Sequence, residues 1–129
     1  DPKREHTLKI VSSLRERTNC TIQLFSYEDE EILRRELADS QILTNGTNLG
    51  MAPDEEGCIL PDASFLHKDL IVSDIIYNPR KTRLLQMAEE TGCPYFNGLY
   101  MLLYQGAEAF KIWTGKEMPV ELIKKRFFS

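Results

Sequence analysis

Gln105 sits about one and a half turns beyond Leu99 in the stretch Asn97-Gly98-Leu99-Tyr100-Met101-Leu102-Leu103-Tyr104-Gln105-Gly106-Ala107-Glu108-Ala109-Phe110-Lys111-Ile112-Trp113-Thr114-Gly115-Lys116. Leu99, Leu102, Leu103, Gly106, Phe110 and Trp113 recur at helical spacing and form one apolar face. Gln105 stands off that face. A neutral amide donates and accepts at once, which suits a polyol or a carboxylate ligand. The same pattern fits an ordinary core helix with a solvated Gln.

Other reactive side chains are scattered. Cys20, Cys58 and Cys93 are odd in number, far apart and without paired ligand spacing. They read as small buried hydrophobes in a reducing cytoplasm. His6 and His67 are isolated, and His6 falls on a charged helix where it is solvated. Asp54-Glu55-Glu56 reads as a solvated acidic turn, because consecutive carboxylates in a flexible loop rarely converge on one ion. Lys111, Lys116 and Lys124-Lys125-Arg126 read as solvated helix faces. No metal site is expected.

The elements that position these residues follow from periodicity and punctuation. Residues 3–18 are predicted as a helix with Leu8, Val11 and Leu14 as its stripe and Ile10 beside it. Residues 20–25 alternate and contain Thr21 and Ile22, which predicts a strand. Ser26 with Asp29 makes a capping-box-like start to a helix reaching about Ala38 and burying Ile32, Leu33 and Leu37. Residues 42–44 form a second strand that ends in a Gly- and Asn-rich loop at 45–50. Gly and Asn there would serve a tight turn at positive φ.

Residues 52–69 are loop-like, with Pro53, Gly57 and Pro61. Residues 70–75 are a strand fit for burial on both faces. Residues 80–91 are a helix closed by Gly92, and 94–96 are a fourth strand. A helix over 98–114 follows, and Pro119 starts a last helix through Phe127. Alternation of this kind predicts a mostly parallel sheet with helices on both faces.

Composition narrows the class. The chain has 129 residues, 42% hydrophobic and 28% charged, with a net charge of −4. That suffices for one core. Acids and bases are interspersed without a basic stripe, so nucleic acid is not an expected partner. No apolar run approaches the roughly 18 residues that span a bilayer. The opening Asp1-Pro2-Lys3-Arg4-Glu5 carries no signal-peptide pattern, so the expected location is cytoplasmic, with no membrane partner.

Three ordered motifs resemble one family. The stretch from Asn97 to Lys116 resembles the end of the nucleotide domain in shikimate and quinate/shikimate dehydrogenases. Asp74-Ile75-Ile76-Tyr77-Asn78-Pro79 and Thr44-Asn45-Gly46-Thr47-Asn48-Leu49-Gly50-Met51 resemble the same proteins at the family's spacing. Weaker similarity extends back to about Asp1.

The resemblance implies roles. Tyr77 and Gln105 match substrate-binding positions. Thr47, Asn48, Ile75, Asn78, Gly98 and Met101 would border the cofactor. Ile75 would pack near the nicotinamide, and Gly98 matches a glycine that lets the backbone approach it. Tyr100 stands where a second Gly is usual in the family. Asp1 falls near the end of the family's second strand, where an acid accepts hydrogen bonds from an adenosine ribose and repels a 2′-phosphate. That favours NAD over NADP. A chain end without a ligand is the alternative for Asp1.

The family's other signatures are absent. The glycines at 46, 50, 57, 92, 98, 106 and 115 do not make a pyrophosphate-binding turn. The family's catalytic Lys-Asp pair has no counterpart here. The resemblance therefore implies an incomplete Rossmann-like α/β sheet lacking the first two strands of the nucleotide domain. Residues 1–97 would be the partial dinucleotide-binding domain. Residues 98–129 would be the C-terminal helices that complete it and pack toward the substrate domain.

The expected parent is an oxidoreductase that reversibly passes hydride between NAD or NADP and shikimate or quinate. The chain alone is expected to be inactive. A non-catalytic regulatory or remnant module that keeps the scaffold is the alternative. In the strand order 3-2-1-4-5-6, strand 20–25 would lack its neighbours. Unpaired backbone groups are costly, so association with a second copy or with the missing N-terminal part is expected.

Overall fold

The structure is a computed structural model that describes residues 2–26 and 28–128. Asp1 lies outside the described residues. The chain divides into two compact units, Asp1–Arg35 and Glu36–Ser129.

In the first unit, α1 spans Pro2–Arg17. Of its predicted stripe only Val11 is buried, and Leu8, Ile10 and Leu14 stay exposed. Residues 20–25 are not a strand, contrary to the alternation in their sequence. A strand needs a ladder partner, and none pairs with this segment among the described residues. The Ile22 carbonyl instead accepts from the Arg15 guanidinium, with Nε at 2.9 Å. Cys20 is exposed rather than buried.

Helix α2 spans Glu30–Ala38. Its cap is Asp29, not Ser26, because Asp29 Oδ1 accepts the Ile32 N–H at 3.1 Å. Ser26 Oγ instead accepts the Glu28 N–H. Leu37 is buried, while Ile32 and Leu33 are half-buried.

The second unit holds the sheet. β1 is Ile42–Asn45, β2 is Ile71–Asp74 and β3 is Tyr95–Phe96. The order is β1-β2-β3 and both pairs are parallel, with Asn45 opposite Asp74 and Val72 opposite Tyr95. The fold class is therefore the expected parallel α/β arrangement, with three strands rather than four among the described residues.

Helix α3 spans Arg83–Thr91 and packs on β2 and β3. It starts three residues later than expected, because Thr82 is its cap and accepts the Leu85 N–H. Gly92 closes it at φ 81°, a left-handed conformation that suits glycine. Leu70, Val72, Leu84, Leu85, Met87 and Ala88 form the dry centre of this unit, each at most 2% exposed.

Helix α4 spans Leu99–Thr114 and packs on α5, Val120–Phe127. Its predicted apolar face is only partly covered. Leu103 is buried, and Leu99, Leu102 and Phe110 are half-buried. Gly106 is exposed and Trp113 is 82% exposed. Among the described residues, no helix is long and apolar enough to cross a membrane.

Candidate functional site

β1 and β2 run parallel and end side by side, so their following loops meet. These loops enclose a cleft of about 400 Å³ lined by residues 46–48, 51, 52 and 75–78. Thr47, Asn48, Ile75, Tyr77 and Asn78, all marked by the motifs, converge there. Met51, Ala52 and Ile76 supply apolar wall and were not singled out by sequence reasoning.

A buried polar frame lies beneath the cleft. The strand register sets Asn45 beside Asp74. Both are 1% exposed, as is Thr82. Asp74 Oδ1 accepts from Asn45 Nδ2 at 3.1 Å and from the Ile76 N–H at 3.0 Å. Asp74 Oδ2 accepts from Thr82 Oγ1 at 2.7 Å. Asn45 Oδ1 accepts the Thr47 N–H at 3.0 Å and the Thr47 hydroxyl at 2.7 Å. Among the described residues no buried side-chain polar atom lacks a partner. Of the loop's residues, Gly50 takes the positive φ, and Asn45 and Asn48 do not.

The start of α4 is fastened to the same strand end. The Gly98 N–H donates to the Ile76 carbonyl at 3.0 Å. A Cβ at Gly98 would run into the Ile75 carbonyl, so this contact requires glycine. Asn97 Oδ1 accepts the Leu99 N–H at 3.1 Å, and its Nδ2 donates to the Arg80 carbonyl at 2.8 Å. Farther along α4, Met101 and Gln105 are exposed and do not line the cleft.

The cysteines take no part. Burial is the main cause that pushes both the Cys58 and Cys93 thiols above their ordinary value. Both therefore stay protonated and weakly nucleophilic near neutral pH. Asp74 and Thr82 were given no role by sequence reasoning, and Asn45 only that of a turn residue. The available signal was a polar residue ending each apolar strand, but the pairing depends on register across 29 residues.

Residues 98–126 match the family model of the shikimate 5′-dehydrogenase C-terminal domain. A shikimate dehydrogenase (NADP(+)) of Listeria innocua is 55% identical over 120 residues, which are 93% of this chain and 41% of that protein. A quinate/shikimate dehydrogenase of Escherichia coli is 40% identical over 94% of this chain and 42% of its own length. The chain thus spans about two fifths of the length of these curated relatives. The crystal structure of a Listeria monocytogenes shikimate 5-dehydrogenase in complex with shikimate and NAD superposes with a TM-score of 0.85 at 54% identity. That match covers 92% of this chain and 41% of that one. A Corynebacterium glutamicum quinate dehydrogenase in complex with NAD gives a TM-score of 0.66 at 32% identity, over 74% of this chain and 33% of that one.

Proposed function

We propose, for a chain homologous to shikimate and quinate/shikimate dehydrogenases, that the cleft beyond β1 and β2 belongs to the site of an oxidoreductase. That enzyme, a full-length protein carrying this segment, would move hydride reversibly between NAD or NADP and shikimate or quinate. One observation carries the reading. Residues from two separate motifs line one cleft at the C-terminal ends of adjacent parallel strands, the edge where such sheets bind ligands.

The lining fits a nicotinamide: Ile75, Ile76, Met51 and Ala52 are apolar, and Asn48, Tyr77 and Asn78 are polar. When bound, NAD(P) supplies the hydride acceptor for oxidation of a ring hydroxyl. Ile75 would keep water from that face, Gly98 would let the backbone approach it, and Met101, exposed on α4, would border the bound cofactor. Thr47, Asn48 and Asn78 border the cofactor. The Tyr77 phenol and the Gln105 amide orient the hydroxylated acid by hydrogen bonds. Residues 1–97 act as part of the nucleotide domain and 98–129 as its closing helices, a division supported by the family model's start at residue 98. NAD is favoured over NADP on the charge of Asp1. The exposed edge residue Ile42 and the exposed Trp113 support association with a further polypeptide, in the cytoplasm.

The test uses the full-length protein. Tyr77→Phe and Gln105→Ala should each raise the KM for shikimate or quinate, leaving the cofactor KM in place. One lost hydrogen bond is worth roughly 0.5–1.5 kcal/mol, a few-fold to about tenfold. An unchanged kcat/KM in both variants would overturn the assignment. Asp1→Ser should erode a preference for NAD, and a parent that already prefers NADP would remove Asp1 from that role.

A further inference from the structure

We infer that Asp74 is a positioning residue that sets both loops of the cleft at once, the one carrying Thr47 and Asn48 and the one carrying Tyr77. The inference rests on the functional reading above, which gives those residues a ligand.

Asp74 is 1% exposed and gathers donors from three places in the fold. Asn45 ends β1, Ile76 lies in the turn after β2, and Thr82 caps α3. Without that acceptor the Ile76 N–H and the Thr82 hydroxyl would lose their partner in the interior, and Asn45 Nδ2 would lose one of its two. On its far side Asn45 continues the chain of bonds. Its Oδ1 holds both the backbone and the hydroxyl of Thr47, and its Nδ2 also reaches the Leu49 carbonyl at 3.3 Å. The Thr47 oxygen in turn accepts the Leu49 N–H at 3.2 Å. Thr47 therefore directs its one hydroxyl proton into its own loop, and its part in the site is to shape that loop. A displacement at Asp74 moves the Asn48 loop and the Tyr77 turn together.

Geometry rather than charge is the requirement. An asparagine at 74 keeps an oxygen for Asn45 and Ile76 and presents an amide to Thr82 Oγ1, which can accept it. An alanine takes the Asp74 acceptor from all three donors and leaves Asn45 Nδ2 with the Leu49 carbonyl alone. Asp74→Asn and Asp74→Ala therefore separate the two effects.

The first measurement is the amide NMR spectrum of the 129-residue chain. Asp74→Ala should shift residues 46–51 and 76–78 together and leave the amides of α5 in place, while Asp74→Asn should restore most wild-type positions. Shifts confined to the immediate sequence neighbours of residue 74 would overturn the inference. If the alanine variant does not fold, Thr82→Val removes one donor and is read the same way. The second measurement is turnover in the full-length protein, corrected for folded fraction. Asp74→Ala should lower kcat/KM for shikimate or quinate by roughly tenfold or more, and Asp74→Asn should recover all but about threefold. Equal kcat/KM in the two variants would overturn it. If the unsubstituted protein turns over neither acid with either cofactor, the functional reading fails, and the NMR measurement alone decides whether Asp74 sets the loops.

Discussion

The loops after β1 and β2 and the outer face of α4 both carry residues that the motifs mark, yet different physics holds them. Thr47 and Tyr77 sit on loops tied to a buried carboxyl group and amide, so their places depend on contacts far apart in sequence. Met101 and Gln105 sit on a continuous helix, and their places follow from helical pitch alone. The cleft is therefore sensitive to single buried atoms. The α4 face is robust, and its residues gain a role only when something binds there. Gly98 is the joint between the two regions.

Breaking that joint should give the largest effect. In Gly98→Ala the new methyl meets the Ile75 carbonyl, and neither backbone can yield without moving the start of α4 away from residues 75–76. The expected loss is about 3 kcal/mol, the upper end for overpacking, read as a lower denaturant midpoint of the chain. A midpoint within experimental error of wild type would show that α4 is not locked to the strand end.

A smaller loss separates the regions directly. Thr82→Val keeps shape but leaves Asp74 Oδ2 with one donor fewer and α3 without its cap. The expected cost is about 2 kcal/mol. Gln105→Ala on the exposed face should stay within about 0.5 kcal/mol. Chemical denaturation of both variants checks the contrast. Equal losses would remove the distinction between a framed cleft and an open helix face.

The sequence made local features legible and hid long-range ones. Gly92 announced the end of α3, and the apolar spacing from Leu99 onward announced α4, because both signals lie within a few residues of what they specify. Residues 20–25 had the composition of a strand, but a strand exists only with a neighbour, and composition carries no neighbour. The Ser26 and Asp29 pair offered two caps, and only backbone geometry selects between them. Gathering Thr47, Asn48, Ile75, Tyr77 and Asn78 was foreseeable from family motifs. The frame of Asn45, Asp74 and Thr82 was not, because it depends on the register of β1 against β2. Gly98 was marked for approach to a ligand, and the structure adds a nearer reason in the Ile75 carbonyl.

The smallest expected effect concerns an exposed counterpart of the buried frame. Lys81 Nζ donates to both Glu89 oxygens at 2.9 Å, and the Tyr95 hydroxyl donates to Glu89 Oε1 at 2.6 Å. The Tyr95 hydrogen bond, then Lys81, holds the Glu89 carboxyl below its ordinary value of 4.5. The Glu89 hydrogen bond holds the Lys81 amine above its ordinary 10.5. A depressed acid stabilises the fold above its ordinary value, and that contribution fades as pH falls through the lowered one. A raised amine stabilises the fold below its ordinary value, and that contribution fades as pH rises through the raised one. The latch is thus complete between 4.5 and 10.5 and weakens outside that window. Because both ends face solvent, its share is small and screened by salt. Glu89→Gln should lower Tm slightly at neutral pH, by less in high salt, and the gap to wild type should close as pH drops below 4.5. Thermal melts across pH at two salt concentrations measure this. A gap that is constant across pH and salt would mean that packing on Tyr95, not charge, holds this edge of α3 to β3.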